Sequence, residues 1–287
     1  MLPTDLVGLR PLMERTEGRR EVSVAVIDGP SWLDHPALSG QHISEVDGSK
    51  HASCGNLSSA ACAHGTFVIG SLAAKRAYNA SSICPGCSFL LRSIFSEDTI
   101  EQGHTPVSTP DELGRAIIDS VSAGANVINL SVAIGESSSP EDVLLREALD
   151  YAARSGVLVV AAAGNQATVG ATVITRHPWV IPVASCGLSG RPTYESNLGR
   201  SIGSRGLSAP GENVPGFEMR GAAAVFRGTS AAAPFVTGTI ALLWSEFPSA
   251  SAVDIKLAVT GPSGRSRRSI TPPLLDAQAA YLAMALN

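Results

Sequence analysis

Three residues of this 287-residue chain carry the side chains of a hydrolytic relay, in the order carboxylate, imidazole, hydroxyl: Asp28, His64 and Ser230. Ser230 lies in Gly228-Thr229-Ser230-Ala231-Ala232-Ala233-Pro234, ahead of an apolar run through Val236, Ile240, Leu242 and Leu243. The pattern is a tight turn feeding a buried helix, which puts the hydroxyl among free backbone N–H groups that favour developing negative charge. Taken alone, such a serine is more often only a helix cap. A hydroxyl is inert at neutral pH without a base. His64, in His64-Gly65-Thr66, supplies the imidazole, and Asp28, in Asp28-Gly29-Pro30, the carboxylate that orients it. Each has a plainer reading, His64 as a helix-end residue and Asp28 as turn chemistry. Asn165 closes the apolar run Ala161-Ala162-Ala163-Gly164 and is a fourth polar strand end.

The elements that must position these residues follow from hydrophobic pattern. Residues 22–27 form an apolar strand ending at Asp28, where an open α/β sheet places its sites. Residues 39–63 read as a polar loop, and a helix opens at His64 and runs to residue 74. Further strands are expected at 89–94, 126–131, 157–163 and 180–184, and helices at 111–123, 140–154, 234–247 and 274–286. Residues 1–20 read as a polar N-terminal arm with a short helix, and 21–287 as one domain. Strands alternating with helices imply an α/β fold with a mostly parallel central sheet and helices on both faces.

Composition narrows the classes. The chain is 44% hydrophobic and 16% charged with net charge -4, which gives no reason to expect nucleic acid or an anionic membrane as partner. No apolar run approaches the roughly 18 residues of a membrane span. The first twenty residues carry four arginines and no apolar core, unlike a secretory signal, so either a cytoplasmic location is expected or the sequence begins after a signal was removed. The five cysteines are an odd set in a chain too long to need a disulfide framework. Cys84-Pro85-Gly86-Cys87 resembles a zinc or redox half-site, but zinc would need two further ligands, for which Cys54, Cys62 and His64 are the nearby candidates.

The sequence resembles the subtilisin-like serine proteases. The matching pieces are Val24-Ala25-Val26-Ile27-Asp28-Gly29, His35-Pro36-Ala37-Leu38, His64-Gly65-Thr66, Val127-Ile128-Asn129-Leu130-Ser131, Ala161 to Asn165, Ser208-Ala209-Pro210-Gly211 and Gly228 to Pro234. They run in family order. The resemblance implies a three-layer sandwich with Ser230 as nucleophile, His64 as base and then acid, and Asp28 orienting the imidazole. Asn165 and the Ser230 backbone N–H would form the oxyanion hole. It implies that substrate pairs with Ser131, Val132 and Ala133, and that Ala162, Ala163 and Gly164 wall the pocket for the residue before the cut. Ala133 replaces a usual Gly, and 172–176 lacks the usual aromatic-Pro pattern, so pocket specificity does not transfer.

Other departures concern packing and metal. Phe67 and Phe235 stand where the family has His, and changed packing rather than lost catalysis is expected there. Ala37 replaces a calcium-ligating Asp, and 75–82 lacks the family's set of Asn ligands and carries two positive charges, so no metal and no cofactor is expected. Asp28 lies 27 residues from the start, leaving no room for a pro-domain within this sequence. That start, the Asp-Gly-Pro triplet and the cysteine-bearing segment look most like proteases that mature ribosomal peptides in cyanobactin pathways. The branch that closes macrocycles carries a large insertion near the histidine, and the spacing here leaves no space for one.

The expectation is therefore a serine endopeptidase that cleaves a leader or precursor peptide. The alternatives are an inactive protease fold that grips peptide without cutting, a general intracellular subtilase, and a structural zinc or redox protein. Where disulfides form, Cys54–Cys62 is expected beside the active site and Cys84–Cys87 as a tight local bridge, either open in a reducing cytosol. A helix of about ten residues, roughly 15 Å, separates the two pairs and forbids crossed links. Cys186 should be a buried free thiol.

Overall fold

The computed structural model describes all residues except 52, 57, 79, 98–106, 132, 135–141, 218–222, 262–267 and 287. In chain order its elements are α1 (Pro3–Leu6), α2 (Arg10–Arg15), β1 (Ser23–Asp28), β2 (His42–Glu45), α3 (Ala60–Ala73), β3 (Ser88–Ser93), β4 (Val107–Ser108), α4 (Pro110–Ser122), β5 (Val127–Leu130) and β6 (Ala133–Ile134). There follow α5 (Val143–Arg154), β7 (Leu158–Ala162), α6 (Val173–Arg176), β8 (Val180–Cys186), α7 (Arg200–Arg205), β9 (Leu207–Pro210), β10 (Val214–Phe217), β11 (Ala223–Phe226), α8 (Thr229–Glu246), α9 (Ala252–Thr260) and α10 (Ala277–Ala285).

Seven strands form one sheet in the order β2-β3-β1-β5-β7-β8-β9, every pair parallel. Alternation along the central strands feeds two cores. Val24, Val26, Val127, Leu158 and Val160 enter one apolar cluster with α3 and α8. Ala25, Ile27, Ile128, Leu130 and Val159 enter another with α4 and α5. Burial on both faces is what a central parallel strand requires, and it makes the molecule a three-layer α/β/α sandwich.

Two expected helices start a turn or more earlier. The helix that carries His64 starts at Ala60, with the Ser59 hydroxyl accepting from the Cys62 backbone N–H. Cys62 is therefore inside α3, and His64 is in its second turn. The alanines at 60, 61 and 63 are strong helix formers whose apolar pattern emerges only with burial. The long helix begins at Thr229 and carries Pro234 inside it. Proline lacks the N–H that would bond the Ser230 carbonyl one turn back, so it is tolerated this near the helix start. Within 39–63, read as loop, β2 adds an edge strand to β3.

Residues 1–20 hold two short helices rather than one, and Val7, Leu9 and Leu12 are buried in the α8-side core. Among the described residues no helix is long and apolar enough to cross a membrane.

Candidate active site

Asp28 is the last residue of β1, and Asn165 lies three residues past the end of β7, at the same carboxyl edge of the sheet. Helix α3 meets that edge at glycine. A Cβ on Gly65 would stand 2.5 Å from the Pro30 carbonyl oxygen, and one on Gly29 would collide with the Ala61 carbonyl. Only two glycines let the Asp28 turn and the His64 helix come this close. Thr66 adds a tie, its hydroxyl accepting from the Trp32 backbone N–H at 2.8 Å.

The contact brings His64 Nδ1 to 2.7 Å from Asp28 Oδ1. The same oxygen accepts from the Gly29 N–H at 2.6 Å. Asp28 is only 2% exposed, whereas His64 keeps 30% of its side chain open. Burial alone would lower the His64 pKa, but the Asp28 charge and hydrogen bond outweigh it, and the pKa is raised. With Nδ1 donating to the carboxylate, Nε2 is the ring nitrogen left to take a proton.

Ser230 is the second residue of α8, after Gly228 at φ 101°. Its hydroxyl donates to the Ser131 carbonyl at 3.0 Å. Among the described residues no hydrogen bond joins it to His64. Such contacts tighten when substrate binds, and a turn about χ1 would redirect the hydroxyl.

Thr229 organises the neighbouring loop. Its backbone N–H and its hydroxyl both donate to Asn165 Oδ1, at 2.8 and 3.1 Å, and its Oγ1 accepts from the Gly164 N–H at 3.1 Å. With Oδ1 engaged, the Asn165 amide nitrogen is the end left to donate outward, on an exposed side chain. Sequence reasoning missed Asn197, which holds this loop from behind. Asn197 Oδ1 accepts from the Gln166 and Thr168 N–H groups, its Nδ2 donates to the Ala163 carbonyl, and its N–H donates to the Gly164 carbonyl. No local pattern marks Asn197, because its partners lie about thirty residues back.

Asn129 was also missed as a site support, although a polar residue in an apolar strand is a visible signal. It is fully buried; Nδ2 donates to Ser131 Oγ at 2.7 Å, and Oδ1 accepts from Thr237 Oγ1 of α8 at 2.8 Å. It thereby joins the Ser131 segment to the helix that carries Ser230. Of the expected substrate-binding residues, Ser131 is buried beside Ser230, and Ala133 starts β6, which pairs with β4. Val132 lies outside the described residues. Ala162 and Gly164 are half-buried and Ala163 is buried, its N–H donating to the Val183 carbonyl.

Phe67 is buried and stacks on Phe226, ring centroids 3.9 Å apart, two residues before Gly228. The His64 helix and the Ser230 turn are thus packed together through an aromatic pair, and Phe235 is fully buried as well. At Ala37 the environment is cationic: the Lys75 N–H donates to the Ala37 carbonyl and its ammonium to the Pro36 carbonyl. Among the described residues this lining does not fit calcium, which needs several oxygen ligands; Asn79 of the 75–82 loop lies outside them.

Cys54 and Cys62 form a disulfide, Cα atoms 5.8 Å apart, as expected. The Cys84–Cys87 bridge does not form. Both thiols are free and buried, as is Cys186.

Known proteins resemble this chain in sequence and fold. The model of the subtilase family, Peptidase_S8, matches residues 19–263. Fervidolysin of Fervidobacterium pennivorans is 31% identical over 279 residues, covering 88% of this chain but 38% of that protein. The chain thus spans well under half the length of that relative. The major intracellular serine protease of Bacillus subtilis is 29% identical over 237 residues, covering 79% of this chain and 69% of that one. The solved structure of the prenylagaramide maturation protease PagA superposes with a TM-score of 0.82 at 26% identity, covering 96% of this chain and 98% of that one.

Proposed function

This chain belongs to the subtilase family of serine proteases, and from that premise we propose that it hydrolyses peptide bonds through Ser230, His64 and Asp28, acting on a precursor peptide. The observation that carries the reading is the 2.7 Å His64–Asp28 contact at the sheet edge where α8 presents Ser230 and Thr229 orients Asn165. Ser230 Oγ attacks the scissile carbonyl as His64 Nε2 takes its proton, and Asp28 stabilises the imidazolium. The oxyanion is met by the Asn165 amide and the Ser230 N–H, donors fixed before reaction and needing little reorganisation. His64 then protonates the departing amine, and water releases the acyl group by the same route in reverse. The Ser131 segment pairs with the extended peptide, backbone to backbone.

The likeness to PagA supports a maturation substrate; the likeness to the Bacillus enzyme favours a second reading, general intracellular proteolysis. The test is a phosphonate serine probe together with Ser230→Ala. The native chain should label stoichiometrically and cut peptide. The variant should fold, fail to label, and lose about 10^6-fold in kcat, the scale seen when a subtilisin loses this serine. Labelling that persists in the variant removes Ser230 from the mechanism. Cleavage of unstructured protein at many sites, with no preference for one peptide, selects the general protease.

A further inference from the structure

At the opposite edge of the sheet a cavity of about 600 Å³ is lined by Arg176, Arg200, Ser201, Ser204, Arg205 and Arg268. Arg176 ends α6 just before β8, and Arg205 ends α7 just before β9, so the cavity opens where these strands begin. Strand β8 has seven residues, roughly 23 Å at about 3.3 Å each, which separates the cavity from the carboxyl edge that carries the candidate triad. Among the described residues no carboxylate lines it, and none of the four arginines has an ion pair. In a chain of net charge -4 this is a concentrated positive field.

The donors are partly built in. Arg205 Nη2 donates to the Thr175 and Arg176 carbonyls at 3.2 and 2.8 Å, which fixes its guanidinium against the end of α6. Its Nε and the Ser201 hydroxyl oxygen are buried with no partner among the described residues, a cost that ligand sites commonly carry. Lys256, bonded to the Pro178 and Trp179 carbonyls, has its pKa pushed down to about 8 by burial and by the Arg205 charge.

We propose that this cavity binds an anion carrying two or more adjacent phosphate groups. The guanidiniums converge from three segments, the end of α6, both ends of α7 and the return at Arg268, and two hydroxyls join them. Donors arriving from several directions suit tetrahedral phosphates, whereas a carboxylate is met in one plane by one guanidinium fork. The volume exceeds that of a single ion, and among the described residues no aromatic or aliphatic side chain lines it to receive a nucleobase.

The test is calorimetric titration of the full chain with tripolyphosphate, against sodium sulfate at matched ionic strength. Saturable one-to-one binding and a rising melting temperature are expected, because a ligand of the folded state stabilises it. Arg200 and Arg268 are exposed, so Arg200→Gln with Arg268→Gln should fold normally and weaken binding on the order of tenfold or more. Arg10→Gln, which changes a surface arginine paired with Asp5, should leave binding unchanged. Peptide hydrolysis should be the same in all three proteins. The proposal is overturned by binding no stronger than sulfate, by binding that survives the double substitution, or by a hexaglutamate peptide outcompeting tripolyphosphate, which would make the cavity a dock for acidic peptide. None of these readouts requires that the chain be a protease.

Discussion

Asn165 can present only one end of its amide to a substrate, because Thr229 occupies the other with two donors. Gly228 makes that possible. A Cβ there would lie 2.8 Å from Asn165 Nδ2, and the backbone is at φ 101°. Gly228→Ala should therefore displace the amide and lower kcat by about 10^2- to 10^3-fold with little change in KM, the size of effect seen when an oxyanion donor is lost. An unchanged kcat would mean that Asn165 does not meet the oxyanion. His64 gives a second prediction at this scale. Its raised pKa means the neutral base predominates only above the ordinary value of about 6.5. A pH profile of kcat/KM should fall on the acid side with a midpoint above that value. Asp28→Asn removes the charge that raises it, so the midpoint should move down while kcat drops by about 10^4-fold. Stability runs the other way. The charged pair favours the folded state below the unfolded pKa, and that contribution is lost as pH rises through the folded one. A midpoint that Asp28→Asn leaves in place would assign the acid limb to another group.

At the scale of elements, α3 is held to the Asp28 turn in two ways. Gly29 and Gly65 let the two segments touch. The Cys54–Cys62 disulfide also ties the helix start to a segment whose Cys54 N–H donates to the Ser31 carbonyl. Closing a loop with eight residues of separation restricts the unfolded chain by about 2–3 kcal/mol. Cys54→Ser with Cys62→Ser should lower the melting temperature by several degrees and leave the Ser230 probe reaction intact; a lost probe reaction would show that the disulfide sets the position of His64. The pairing was legible in the sequence, because both cysteines flank one loop and a helix length separates them from Cys84 and Cys87. The central strands and the candidate residues at their ends were legible from apolar runs that stop at Asp28 and Asn165. The start of α3 was not, since Ala60, Ala61 and Ala63 show no periodicity until the sheet buries one side. Edge strand β2 is half-exposed or exposed throughout, so no burial pattern marks it. Asn197 acts through partners about thirty residues back, and Asn129 reaches Thr237 of α8, contacts that only the folded chain makes.

Across the whole molecule, the first seventeen residues close the end farthest from the candidate triad. Helix α8 has eighteen residues, about 27 Å at 1.5 Å each, and carries Ser230 at one end and Glu246 at the other. Arg15 pairs with Glu246 at 3.3 Å and lies over the Tyr281 ring at 4.6 Å. The Ala277 N–H at the start of α10 donates to the Val7 carbonyl. Arg76, just past α3, donates to the Met13 and Thr16 carbonyls, and the Gly86 N–H to the Glu17 carbonyl. The polar residues of this segment suggested an arm, but its few apolar ones are spent in the core: Leu9 is 0% and Leu12 is 1% exposed. Truncating a buried leucine to alanine costs about 2–5 kcal/mol. Leu9→Ala and Leu12→Ala should each lower the unfolding free energy by that much, read as a lower urea midpoint at an unchanged m-value. Because α8 separates them from Ser230, kcat/KM measured well below the transition should match the native chain. A midpoint unmoved by either substitution would show that the segment is loose in solution. A fall in kcat/KM without unfolding would show that strain at one end of α8 reaches the other.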